Sequence, residues 1–158
     1  MTSQTDIQIA KITERKDEKL FKENVYLKKD YLNMISEFHN LTFKKIYKNV
    51  YVNYNNKVRE FDVLINGETP TGRQRWVSIE LKENDVSKVI EQSLVRRDFV
   101  DYSYCIINNS VRWVVEYILY VWSDYIKEDK IGFISAYDNI FVLPSKYKKR
   151  FVEYDKPN

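Results

Sequence analysis

The chain has 158 residues, of which 44% are hydrophobic and 31% charged, with a formal net charge of +3. These values suit one soluble globular domain over residues 1–158, long enough for a substantial core. The lone Cys105 and lone His39 exclude an intrachain disulfide, a thiolate zinc cluster and a histidine-rich metal site, and a pI near 8.8 tolerates a polyanionic partner without demanding one.

Residues 1–12 carry weak signals and read as partly disordered. Residues 1–20 are polar and charged, so no secretory signal is expected, and a reducing cytoplasm suits the single thiol. From Glu14 to Phe38, Leu20, Tyr26, Leu27, Tyr31, Met34, Ile35 and Phe38 recur at helical spacing. Phe43 to Asn53 and Arg59 to Ile65 are rich in β-branched and aromatic residues and predict two strands. The turn residues Gly67, Pro70 and Gly72 follow, and then a third strand from Arg75 to Lys82.

Asn84 or Asp85 can cap a helix from Val86 to about Phe99. Tyr102 to Ile107 predicts a compact apolar strand, and Val111 to about Glu128 one long helix. With Arg112 and Glu116 inside its most apolar run, that helix is too short and too charged to span a membrane. Ile131 to Ala136 and Asn139 to Leu143 predict a terminal strand pair, followed by a basic tail over residues 144–158. The order is α-β-β-β-α-β plus a C-terminal helix and strand pair. It predicts an α/β fold with a mixed central sheet flanked by helices.

The stretch W-V-S-I-E-L-K, Trp76 to Lys82, sets an acid and a base into a hydrophobic strand. Alternation puts Val77, Ile79 and Leu81 on a core face, and Trp76, Ser78, Glu80 and Lys82 on the other, opening toward solvent. If the hairpin turns near Pro70 or Thr71, Asp62 lies opposite residues 78 to 80 and converges with Glu80. Two such carboxylates repel and lose hydration, and a divalent cation relieves both penalties. Hard oxygen ligands suit Mg²⁺, with Mn²⁺ able to substitute. Lys82, on the same face, can orient an attacking water or offset charge on a scissile phosphate. The plainer reading is an exposed ion pair, the commonest meaning of Glu-x-Lys in a strand.

Asp62 within E-F-D-V-L-I, Glu80-Leu81-Lys82, and Gln92 within V-I-E-Q-S-L together resemble the PD-(D/E)XK, or restriction-endonuclease-like, nuclease superfamily. The likeness is to its small members from archaea and archaeal viruses. It covers residues 14–143, with its specific part from Asp62 to Ile107; Phe61 stands where the family pattern has proline. The resemblance implies a restriction-endonuclease-like core and a Mg²⁺-dependent DNA endonuclease. It also implies Asp62, Glu80 and the Leu81 carbonyl as metal ligands, Lys82 at the hydrolytic water, and Gln92 beside the site. Relatives often add an acid from the first helix, where Glu18, Glu23 and Glu37 are open choices and equally ordinary surface charges.

Lys88, Gln92 and Arg96 share a helix face, read either as Gln92 beside the site with Lys88 and Arg96 against DNA phosphates, or as the wet side of an amphipathic helix. His39 reads as a surface or capping residue. The helix from Val111, with Trp113, Tyr117, Tyr120 and Trp122, is apolar around most of its girth. It fits a buried core helix or the face of a homodimer. Lys146, Lys148, Lys149 and Arg150, interleaved with Tyr147 and Phe151, read as a solvated tail or a nucleic-acid contact. The rival to catalysis is a DNA-binding or assembly module on the same fold.

Overall fold

The computed structural model describes residues 9–14, 22–83, 85–120 and 123–155. Eight strands form one mixed sheet in the order β7-β6-β5-β4-β3-β2-β1-β8. They are β1 (Ile9–Glu14), β2 (Thr42–Tyr54), β3 (Lys57–Glu68), β4 (Gln74–Lys82), β5 (Tyr102–Ile107), β6 (Ile131–Ser135), β7 (Ile140–Leu143) and β8 (Glu153–Tyr154). The helices are α1 (Lys29–His39), α2 (Val86–Arg96), α3 (Val111–Tyr120) and α4 (Ser123–Asp129). The expected order of helix, three strands, helix and strand runs from α1 to β5. No helix among the described residues is long and apolar enough to cross a membrane.

β2 and β3 are joined by Asn55 and Asn56, both at positive φ (51° and 63°). Asparagine tolerates that conformation, and paired left-handed residues match the twist of a two-residue hairpin. The next turn is closed by Thr69 N–H donating to the Arg73 carbonyl at 2.8 Å, with Gly72 at φ 86°. β4 and β5 run parallel through α2, whose N-terminus is capped by the Asp85 carboxylate accepting from Lys88 N–H at 3.0 Å. The other capping candidate, Asn84, lies outside the described residues.

One sheet face carries Val63, Ile65, Val77, Ile79 and Leu81 beneath Tyr31 and Ile35 of α1. On the other, Val89 and Ile90 of α2 pack with Cys105, Ile107 and Phe133. A third cluster joins Val50, Val52, Phe61, Leu64 and Trp76. There Phe61 and Leu64, an odd and an even residue, face the same side. Asn49, left-handed at φ 53°, lies in β2 across from this break in alternation. The hairpin therefore exchanges its faces at Asn49 and Asp62.

Several expectations need correcting. The first helix spans only Lys29–His39, preceded by a 3₁₀ turn at Lys22–Tyr26, and Leu20 lies outside the described residues. Ile9–Glu14 is a strand: Lys11 pairs with Asn53 and Ile12 with Val52, so the long β2 supplies hydrogen bonds that local propensity does not signal. The helix expected from Val111 to Glu128 is described over Val111–Tyr120 and Ser123–Asp129, and residues 121–122, Trp122 among them, lie outside the described part. It is not buried all round. Val114 packs inward, while Trp113, Leu119 and Tyr120 are 54%, 57% and 82% exposed.

The basic end is not a solvated tail. Buried Ser145 receives Ser103 N–H at 3.0 Å, Arg150 bonds buried Asp101, and Tyr154 stacks 3.9 Å from Trp76. His39, too, is partly buried rather than free at the surface. Its ring sits 4.0 Å from Tyr102 and is hydrogen-bonded to the Tyr104 hydroxyl; burial lowers its pKa to about 4.

Candidate active site

The last paired residues of the β3–β4 ladder are Val63 and Ile79, so the next positions, Asp62 and Glu80, face each other as the hairpin spacing predicts. Past that point the ladder opens. The backbone N–H of Leu81 donates instead to Asp62 Oδ2 at 2.9 Å. That bond fixes the Asp62 carboxylate against the segment carrying Glu80, and the face exchange at Asn49 and Asp62 lets a β3 side chain reach across.

Glu80 is not at an opening toward solvent. It is 2% exposed, because α2 covers its face of the sheet. Its Oε1 is buried without a hydrogen-bond partner, and the closest cation, Arg96 Nε, lies 3.6 Å away. Burial pushes its pKa well above the usual carboxylate range, and the charge and hydrogen bond of Asp62 push the same way. Arg96 and then Lys82 pull it down without reversing the shift. Burial and Asp62 thus disfavour the ionised form of Glu80, and a further positive charge beside it would favour ionisation.

Lys82, half-buried at the end of β4, lies on the Glu80 face. Its carbonyl accepts Asn108 N–H at 3.0 Å, which ties this end of the strand to the segment after β5. On α2, Gln92 is half-buried with its side-chain oxygen unpartnered. Its backbone carbonyl receives Arg96 Nη1 at 2.9 Å, and Arg96 also bonds the Glu60 carbonyl. The guanidinium is thus turned down onto β3 and β4. Lys88, on the same helix face, is exposed.

Of the first-helix acids, Glu18 and the side chain of Glu23 lie outside the described residues. Glu37 is exposed beside Met34 and Phe38, on the helix that covers the sheet face opposite Glu80. Among the described residues no group of three or more Asp, Glu, His or Cys is placed to hold a metal ion. The oxygen donors here are the Asp62 and Glu80 carboxylates; Leu81, whose carbonyl the family resemblance adds, is tied to Asp62 through its N–H. An all-oxygen set with an orphaned, charge-starved carboxylate fits a hard divalent cation.

Sequence reasoning read Arg96 either as a phosphate contact or as part of the wet side of α2, and missed its contact with Glu80. The four-residue spacing from Gln92 was the available signal, since it puts both side chains over the same strand ends. No protein-family model matches the sequence, and no curated protein does.

Proposed function

We propose that the chain is a metal-dependent DNA endonuclease with a restriction-endonuclease-like core formed by α1, β2, β3, β4, α2 and β5. The observation that carries this reading is the Asp62–Glu80 pair: two carboxylates from adjacent strands, fixed by the Leu81 N–H bond at 2.9 Å, one of them buried with an unpartnered oxygen. A purely structural pair would have its oxygens satisfied, since a buried polar group without a partner costs stability.

Asp62, Glu80 and the Leu81 carbonyl would hold Mg²⁺, or Mn²⁺ in its place. The cation would polarise the scissile phosphate and lower the pKa of a bound water. Lys82 orients the attacking water and offsets charge developing on the phosphate oxygens. Gln92, with its side-chain oxygen unpartnered, positions the water from the α2 side. Exposed Lys88 meets the DNA backbone beyond the cleavage point. A homodimer, joined through the exposed apolar side of α3, would bring two such sites to the two strands of a duplex. The reducing cytoplasm is the compartment proposed for it.

A second reading has one observation in its favour. Arg96 lies 3.6 Å from Glu80, a protein cation where catalysis needs a metal, as a DNA-binding or assembly module could tolerate. Cleavage of supercoiled plasmid and of branched DNA with Mg²⁺ or Mn²⁺, beside Glu80→Gln, separates the two. Cutting by the parent and not by the variant is expected. Tight binding with no cutting on any substrate would leave the binding module.

A further inference from the structure

We propose that the cleft at the other end of β4 is a second nucleic-acid site, holding a phosphodiester backbone away from the carboxylates. It is an open cleft of about 460 Å³ lined by Arg73, Arg75, Tyr147, Lys149, Arg150 and Glu153. Four cations face it against one carboxylate. That carboxylate, Glu153, is already held by Arg150 Nη2 at 3.2 Å, and Arg150 Nη1 is bound to buried Asp101 at 2.9 Å. Arg150 is thus structural, and the surplus charge belongs to Arg73, Arg75 and Lys149.

Arg75 is placed before any ligand arrives. Its guanidinium lies 4.6 Å over the Tyr147 ring, and its Nη1 donates to the Gln74 carbonyl at 3.0 Å. A planar donor fork held in this way loses little entropy on meeting a phosphate. Arg73 and Lys149, both exposed, flank it. DNA carries about one negative charge per 1.7 Å of helix axis, a density that suits three cations in one cleft.

The cleft belongs to a different contact from the carboxylates. Arg75 precedes Glu80 by five residues, about 17 Å along a strand, and alternation puts their side chains on opposite faces. A second stretch of nucleic acid, or one that wraps the sheet end, therefore occupies it. The proposal rests on the nuclease reading only for the identity of the ligand.

The test is binding of a labelled mixed-sequence duplex of about 40 base pairs, followed by anisotropy in EDTA across a salt series. The proteins compared are the parent, Arg73→Glu with Lys149→Glu, and the milder Arg73→Ala with Lys149→Ala. The reversals should weaken affinity at least about tenfold and flatten the logarithmic salt slope by about 2, with a smaller loss for the alanines and an unchanged Tm. Parent-like affinity, or a parent-like salt slope, overturns the proposal. No divalent ion is present, so this assay reads binding alone; a parent that binds here and fails to cut any substrate in the separate Mg²⁺ or Mn²⁺ cleavage assay sinks the nuclease reading and leaves this one standing. A parent that cuts, with a duplex affinity indifferent to both reversals, does the opposite.

Discussion

The guanidinium of Arg96 lies 3.6 Å from the buried Oε1 of Glu80, too far for a hydrogen bond and close enough to oppose a second cation. Its own donors go to the Glu60 and Gln92 carbonyls, so it is held there by backbone rather than by Glu80. Arg96→Met removes that positive charge while keeping much of the aliphatic stem. The expected outcome is tighter Mg²⁺ or Ca²⁺ binding in the absence of DNA, by about 1 kcal/mol or roughly fivefold. Calorimetric titration checks this, and weaker ion binding by the variant would show that Arg96 supports the carboxylates instead.

Glu80 also predicts a pH dependence. Its folded-state pKa is raised, first by burial and then by Asp62, while in the unfolded chain it titrates in the ordinary carboxylate range. Between those two values the folded protein holds the extra proton. The stabilisation is therefore complete below the ordinary range and is lost as pH rises toward the folded value. In EDTA, Tm should fall as pH increases above that range, and Glu80→Gln should flatten the fall. At alkaline pH the variant should melt at least about 3 °C above the parent, since it buries no charge. Divalent cation should restore the parent and leave the variant unmoved. Parallel Tm profiles for the two proteins would remove Glu80 as the group responsible.

Lys82 separates catalysis from site assembly. Its ammonium is on the Glu80 face but supplies no ligand oxygen, so Lys82→Ala should keep ion affinity and duplex affinity close to the parent's. Cleavage should drop by about two to three orders of magnitude, the scale typical of one preorganised charge at a reacting centre. Single-turnover cleavage measured beside ion titration gives both numbers. A variant that cuts at the parental rate would place the water-orienting group elsewhere.

The central hairpin and the β4–α2–β5 crossover were legible because each residue there obeys one simple rule. Val77, Ile79 and Leu81 alternate, Asp85 caps, and the turn at Gly72 sets a register that brings Asp62 to Glu80. What stayed hidden depends on partners distant in sequence. Ile9–Glu14 has too few apolar residues to announce a strand and forms on the edge offered by β2. The burial of Glu80 comes from α2, which no alternation within β4 reveals. For α3, hydropathy reports what a helix could bury and left a core helix and a dimer face both open; only the stripe through Val114 packs inward, so burial all round does not hold.

The C-terminal segment shows the same dependence in a testable form. Asp101 is fully buried, and its carboxylate accepts from Trp76 N–H at 2.7 Å, from Arg150 N–H at 3.2 Å and from Arg150 Nη1 at 2.9 Å. One side chain thus joins the start of β4, the entry to β5 and the returning chain, and nearby Arg97 ties the Val100, Asp129 and Lys146 carbonyls together. Asp101→Asn keeps the volume but removes the charge, leaving the Arg150 guanidinium half-buried with only Glu153. An amide can also accept fewer of the three bonds. The expected cost is about 3 kcal/mol, as for breaking a buried pair by removing one partner, read by chemical denaturation. Because the segment also carries Tyr147 and Lys149, the variant should lose duplex affinity in EDTA as well. A loss of less than about 0.5 kcal/mol would mean that the remaining contacts, the Trp76–Tyr154 stack and the Arg97 and Ser145 bonds among them, hold the chain end in place without Asp101.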